Sequence, residues 1–170
     1  MAGSQSYYSG GTICLPENPQ YDPTALRTGY SDASLLYGIR YGQAVPNISL
    51  ANGNQPVVNE SAVCAVCVAS NGRSTSIMIP ARLLCPAGWT KEYSGYLVGQ
   101  CFYGCMYQAN ASDLVCLDEE PEVRVNGTGY DNNGQQWQGG SLSSVTAMCG
   151  LLPCSTYVDV EYLTCVVCTK

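Results

Sequence analysis

Apolar residues along this chain gather in short runs broken by turn-forming pairs, and no stretch carries the spacing of an amphipathic helix. Val-rich apolar runs at 62–69 and 163–168 predict two short strands, and 74–79 and 158–162 predict two more. The pairs Asn52-Gly53, Asn71-Gly72, Asn126-Gly127 and Asn133-Gly134 suit the positive φ that tight hairpin turns demand. The expected fold is therefore all-β, built from many short strands joined by turns.

The pattern also repeats. Val63-Cys64-Ala65-Val66-Cys67 recurs as Thr164-Cys165-Val166-Val167-Cys168, and Cys14-Leu15-Pro16-Glu17-Asn18-Pro19 recurs as Cys116-Leu117-Asp118-Glu119-Glu120-Pro121. The spacing from Cys14 to Cys64 is 50 residues and from Cys116 to Cys165 it is 49. This predicts two tandem, disulfide-rich small β modules, the first over 1–70 and the second over 71–170, each about a hundred residues when whole. The second copy opens with an element over 77–96 that the first lacks. Aligning Met1-Ala2-Gly3 with Leu97-Val98-Gly99 starts the first copy in mid-module, with Met1 as an internal residue. The second copy also holds extra residues that include a local cysteine pair, Cys101 and Cys105, which reads as an inserted loop with its own staple.

Composition narrows the function classes. Charged residues make up 12% of the 170-residue chain and the net charge is −6, so no basic surface is expected for nucleic acid or an anionic membrane. No run reaches the ~20 apolar residues needed to span a bilayer, which predicts no membrane insertion, and residues 1–11 have neither the basic nor the apolar part of a secretory signal. Eleven cysteines without a single histidine favour disulfides over zinc. Sequons at Asn47, Asn59, Asn110 and Asn126 exceed the roughly 1.5 that chance would place here, and together with the cysteines they predict a secreted, N-glycosylated chain.

The recurring motif is C-P-x-G-W followed by G-Y, then C-L, then a closing C-x-V-C. Its most specific stretch is the junction of the copies: Cys64-Ala65-Val66-Cys67, then Ile79-Pro80, Cys85-Pro86-Ala87-Gly88-Trp89 and Gly95-Tyr96. This resembles the noncollagenous C-terminal domain of type IV collagen and related invertebrate secreted modules, including the globular ends of short-chain sponge collagens. The resemblance implies a β-rich module in which the C-P cysteine bonds the second cysteine of C-x-V-C and the C-L cysteine bonds the first. Carried over, it implies Cys85 with Cys168, Cys116 with Cys165, Cys14 with Cys64 and the short bridge Cys149 with Cys154, while the insertion adds Cys101 with Cys105. Cys67 is left over, unpaired or intermolecular, its expected partner being the C-P cysteine of the missing element. The chain departs from the collagen pattern in having no Gly-X-Y stretch, and no motif matches the crosslinking Met and Lys sites or the halide sites of the collagen networks.

Other chemistries in this sequence have plainer counterparts. The two C-x-x-C pairs could chelate zinc or cycle between thiol and disulfide, but structural bridges need no gathering of thiolates from two modules. The acidic run Asp118, Glu119, Glu120 and Glu122 could be a carboxylate pair or a calcium cluster, and Asp131-Asn132-Asn133-Gly134 has a superficial likeness to a calcium loop; a solvated loop and a hairpin turn are the plainer readings. Without histidine neither a Ser-His nor a Cys-His pair can form, so no enzyme, catalytic residue, metal or cofactor is expected beyond N-linked glycans. Thirteen tyrosines against one phenylalanine leave room for a carbohydrate-binding surface. The leading expectation is an extracellular structural glycoprotein that assembles with copies of itself, and possible matrix glycoproteins besides, into a matrix or filament by head-to-tail, strand-completing contacts. The alternative is a secreted recognition protein, a carbohydrate-binding or surface-defence module.

Overall fold

Backbone pairing around one long strand organises the protein. In a computed structural model, the structure describes residues 2–4, 11–22, 24, 36–42, 57–101, 113–124 and 140–170. These residues are all β and turn, with no helix among them. The strands are β1 (Ala2–Ser4), β2 (Leu36–Tyr41), β3 (Ser76–Pro80), β4 (Thr90–Cys101), β5 (Leu114–Asp118), β6 (Gly140–Ser144) and β7 (Thr164–Thr169). Strands β2 to β7 form one mixed sheet, which β1 extends by antiparallel pairing with β2. The order is β1-β2-β6-β4-β7-β3, with β5 on the remaining edge of β4.

Three neighbours share β4. One edge pairs antiparallel with β7 over Thr90–Tyr96 and then with β6 over Val98–Cys101; the other pairs with β5 over Gly95–Gly99. Where β6 ends and β7 begins, three backbone hydrogen bonds close a triangle: Leu97 N–H donates to Leu163 O (2.8 Å), Leu163 N–H to Val145 O (2.9 Å), and Val145 N–H to Leu97 O (2.9 Å). All three backbones are thus satisfied at a junction that would otherwise leave polar groups buried. Leu97 and Val98 are consecutive strand residues, so they face opposite sides of the sheet, and each seeds a separate apolar cluster. Val98 joins Ile39, Tyr41, Val57, Ala62, Leu117 and Leu142; Leu97 packs with Cys116 and Cys165.

The expected strands at 74–79 and 163–168 appear as β3 and β7. Strand β3 alternates exposed Ser76, Met78 and Pro80 with partly buried Ile77 and Ile79. Pro80, which has no N–H to offer, closes β3, and Ala81 N–H takes over the pairing by donating to Thr164 O at 2.8 Å. Asn71 and Gly72 both have positive φ (61° and 73°), in the turn that leads into β3.

Two expectations are corrected. The run 62–69 is not a strand: only Ser61 and Ala62 make isolated bridges, to Arg40 and Val123, and 63–69 is irregular. The run 158–162 is a turn, closed by Glu161 N–H donating to Val158 O and holding Val160 at φ 61°; only Tyr162 bridges, to Thr146. In both places apolar β-branched residues met no continuous backbone partner. Strand β6 was not expected, because Gly140-Ser141-Leu142-Ser143-Ser144 lacks apolar alternation. It is nonetheless central, lying between β2 and β4 with its first four residues buried, Leu142 in the core among them, and at its start a Cβ on Gly140 would fall 2.4 Å from Gln100 Nε2. The pairs at Asn52, Asn126 and Asn133 lie outside the described residues.

The first and second halves of the chain share this sheet. β2 runs parallel to β6, Ala62 bridges Val123, and the buried Tyr41 hydroxyl donates to Glu122 O at 2.8 Å. Desolvation pushes the Tyr41 phenol up to about 12, against a hydrogen bond from the Val63 backbone that lowers it, with Glu122 adding to the rise. Since the folded value lies above the unfolded ~10, the stabilisation this group contributes is complete below pH ~10 and is lost as pH rises through about 12. Ultraviolet titration of phenolate should show a tyrosine ionising at about 12 that Tyr41→Phe removes. At Gly95 a Cβ would lie 1.8 Å from Leu117 O, so Gly95→Ala should force β5 off β4 and cost about 3 kcal/mol in chemical denaturation.

Candidate functional site

Disulfides set the frame in which every candidate residue sits. Cys14 bonds Cys64, Cys85 bonds Cys168, Cys116 bonds Cys165 and Cys149 bonds Cys154, with Cα–Cα distances of 5.7, 5.9, 5.7 and 5.3 Å. These are the four partnerships that the resemblance implies. Cys101 is the last residue of β4, whereas Cys105 lies outside the described residues, as do Asn47, Asn110 and Asn126. Asn59 is exposed, at φ 68° in the turn where Glu60 N–H donates to Val57 O.

The Cys116–Cys165 bond has the most demanding geometry. Cys116 stands opposite Leu97 on one edge of β4, and Cys165 opposite Gly95 on the other. Strands two places apart in a flat sheet would be roughly 9.5 Å apart, yet these Cα atoms are 5.7 Å apart. The sheet therefore curls sharply around β4, and Gly95 is the position where the curl brings β5's backbone too close for any side chain. The Cys85–Cys168 bond ties the loop 81–89 to the far end of β7. That loop contains the turn in which Trp89 N–H donates to Pro86 O at 3.1 Å, with Gly88 at φ 79°.

The same sequence motif has two fates. In β7, Cys165, Val166 and Cys168 are inaccessible to solvent, because β3 pairs on one side and β4 on the other. Where the motif first occurs, Val66 is 86% and Val68 95% exposed, and among the described residues no strand pairs with 63–69. Cys67, the positional counterpart of the buried Cys168, is an exposed free thiol. It lies near Tyr93, whose hydroxyl is raised by burial, then by Asp118, and then by the Cys67 thiolate.

The end of this segment is braced. Ser74 and Thr75 N–H donate to Lys170 O, and Arg73 Nη2 lies 2.9 Å from Glu92 Oε1. The Thr169 hydroxyl accepts from Arg73 Nε at 2.7 Å and donates to Glu92. That hydroxyl's hydrogen bond first, and then Arg73, hold the Glu92 carboxyl below its usual range. The acidic run is spread out: Asp118 ends β5 and accepts from Glu120 N–H, and Glu119 N–H donates to Ser94 O. Among the described residues no three Cys, Asp or Glu side chains gather as a metal site would require.

Sequence reasoning named Cys67 but missed the exposure of Val66 and Val68 and the brace at Arg73, since both depend on which backbone lies alongside. No family model, curated protein or solved structure matches the chain. Four disulfides in an all-β fold are compatible with an oxidising, extracellular setting. Replacing both Cys116 and Cys165 with Ala should cost about 4 kcal/mol on the loop-entropy scale, against about 2 kcal/mol for Cys149 and Cys154. Urea unfolding of the two double variants would measure the difference.

Proposed function

We propose that this chain is an extracellular structural glycoprotein, made of two tandem copies of one small β module, that assembles with copies of itself into a matrix or filament. The observation that supports the reading is the contrast between the twin segments: one is a strand sealed between two others, and the other presents backbone, two valines and a thiol to solvent. Exposed apolar residues beside unpaired backbone are a template for strand addition, and contiguous patches of this kind mark interaction sites. A strand-completing contact made head-to-tail propagates unless it closes into a ring. The four sequons and the resemblance to collagen-associated modules agree with an extracellular building block. N-linked glycans are its expected modification, and no catalytic group is assigned.

The test is sedimentation of the secreted, oxidised protein over a wide concentration range, with non-reducing peptide mapping of Cys67. Wild type should form oligomers that grow with concentration. Val66→Asp, at a site exposed in the monomer, should keep the fold and its thermal midpoint while weakening association at least about tenfold. A protein that stays monomeric throughout with a free Cys67 thiol would overturn the reading in favour of a soluble recognition module.

A further inference from the structure

The turn that leads into β3 carries a reactive pair. In Asn-Gly the backbone nitrogen of glycine can attack the asparagine carboxamide, because glycine has no side chain to stand in the way. The Asn71 carboxamide is exposed and makes no hydrogen bond among the described residues. Gly72 N–H has no partner among them either, and a Cβ added at Gly72 would meet nothing within 4 Å, so a ring forming there has room. Asn59 is also exposed and left-handed, with φ 68°, but it is followed by Glu60, whose N–H is tied to Val57 O at 3.0 Å. The turn at Asn71 is weakly closed by its own backbone: Arg73 N–H reaches Ser70 O at 3.5 Å, longer than the roughly 3 Å usual for such a bond. What holds it lies just beyond. Arg73 Nε donates to Thr169 Oγ1 at 2.7 Å and Nη2 to Glu92 Oε1 at 2.9 Å, while Ser74 and Thr75 N–H donate to Lys170 O.

We infer that Asn71 is a modification site, converting spontaneously to isoaspartate through Gly72, and that the conversion releases the Arg73 brace. Gly72 N bonds to Asn71 Cγ as the Cγ–Nδ2 bond breaks; the amide proton leaves with Nδ2 as ammonia, and a cyclic imide remains. Water then opens the ring at the Asn71 backbone carbonyl, so that the chain continues through Cγ and the former backbone carbon becomes a carboxylate. No oxidant, reductant or cofactor enters. Ring closure requires Gly72 N to swing alongside Asn71 Cβ, whereas the left-handed conformation directs it away, so Asn71 must first leave φ 61°. The long bond between Ser70 and Arg73 yields readily, but the Arg73 brace opposes the opening, and the brace therefore sets the rate. The product cannot rebuild the turn. Isoaspartate puts an additional carbon into the backbone, and a four-residue turn closed between Ser70 and Arg73 has no slack for it. Its new carboxylate also competes with Glu92 for the Arg73 guanidinium. What is lost is the tie between this segment and the end of β7.

The test is to age the intact, oxidised protein at mildly alkaline pH and follow two readouts. Peptide mapping that separates isoaspartyl from aspartyl products reports the reaction at Asn71, and hydrogen exchange at the Ser74 and Thr75 amides reports the brace. Wild type should accumulate isoaspartate at Asn71 more slowly than the reduced, denatured chain does. Glu92→Gln weakens the brace and leaves the turn's own residues intact, so it should speed the conversion about fivefold. The isoaspartyl fraction should exchange the Ser74 and Thr75 amides faster than fresh protein. Asn71→Asp, which adds the charge without lengthening the backbone, should keep them protected. An Asn71 that stays intact in both folded proteins, under conditions that convert the denatured chain, would overturn the site. Equal rates in wild type and Glu92→Gln, or unchanged exchange in the isoaspartyl fraction, would overturn the part assigned to the brace.

Discussion

The Cys116–Cys165 bond across β4 is the constraint on which the remaining architecture depends. It draws β5 and β7 toward each other from opposite edges of one strand. That curl is possible only where the strand between them has no side chain in the way, and Gly95 supplies the gap. Once the sheet is curled, Leu97 is enclosed with the two sulfurs on one face, while Val98 on the other meets the residues of β2, β5 and β6. Among the described residues, two apolar clusters thus flank adjacent positions of β4. The bond also fixes β7 where it must receive β3, so the C-P-x-G-W loop and its Cys85–Cys168 bridge close over a strand already held in place.

The backbone triangle of Leu97, Val145 and Leu163 is the second consequence. Because β6 and β7 occupy successive stretches of one β4 edge, the chain between them has to leave the sheet and return, and its polar groups are satisfied only by this local exchange of hydrogen bonds. The excursion over 146–162 is thus a product of topology rather than an appended loop. Its short disulfide and its carboxylate-to-backbone bond keep rigid a segment with few apolar contacts of its own.

A near-identical motif behaves differently at its two positions. Thr164 to Cys168 is strand, buried on both faces; Val63 to Cys67 has the same cysteine spacing and similar apolar character and is irregular and exposed beyond its first residues. The difference is hydrogen-bond supply. β7 lies between β3 and β4, whereas among the described residues no strand pairs with 63–69. What the motif encodes is the capacity to be a central strand, and a neighbouring backbone has to complete it.

Taken alone, the amino-acid sequence pointed to the all-β class, the turn at Asn71-Gly72, two of the seven strands among the described residues and, through the resemblance, the partners of the four disulfides described here. These are legible because they rest on local properties: side-chain branching, positive φ, and cysteine spacing. Strand β6 was hidden because Leu142 is its single apolar residue, set among glycine and serine, so the segment shows no apolar alternation although its first four residues are buried. Which copy of the Cys-x-Val-Cys motif would be sealed, and that Val160 would be held outward, only the tertiary structure decided. A strand and an exposed surface are both defined by what lies alongside them, and that neighbour is brought from residues far away in the chain.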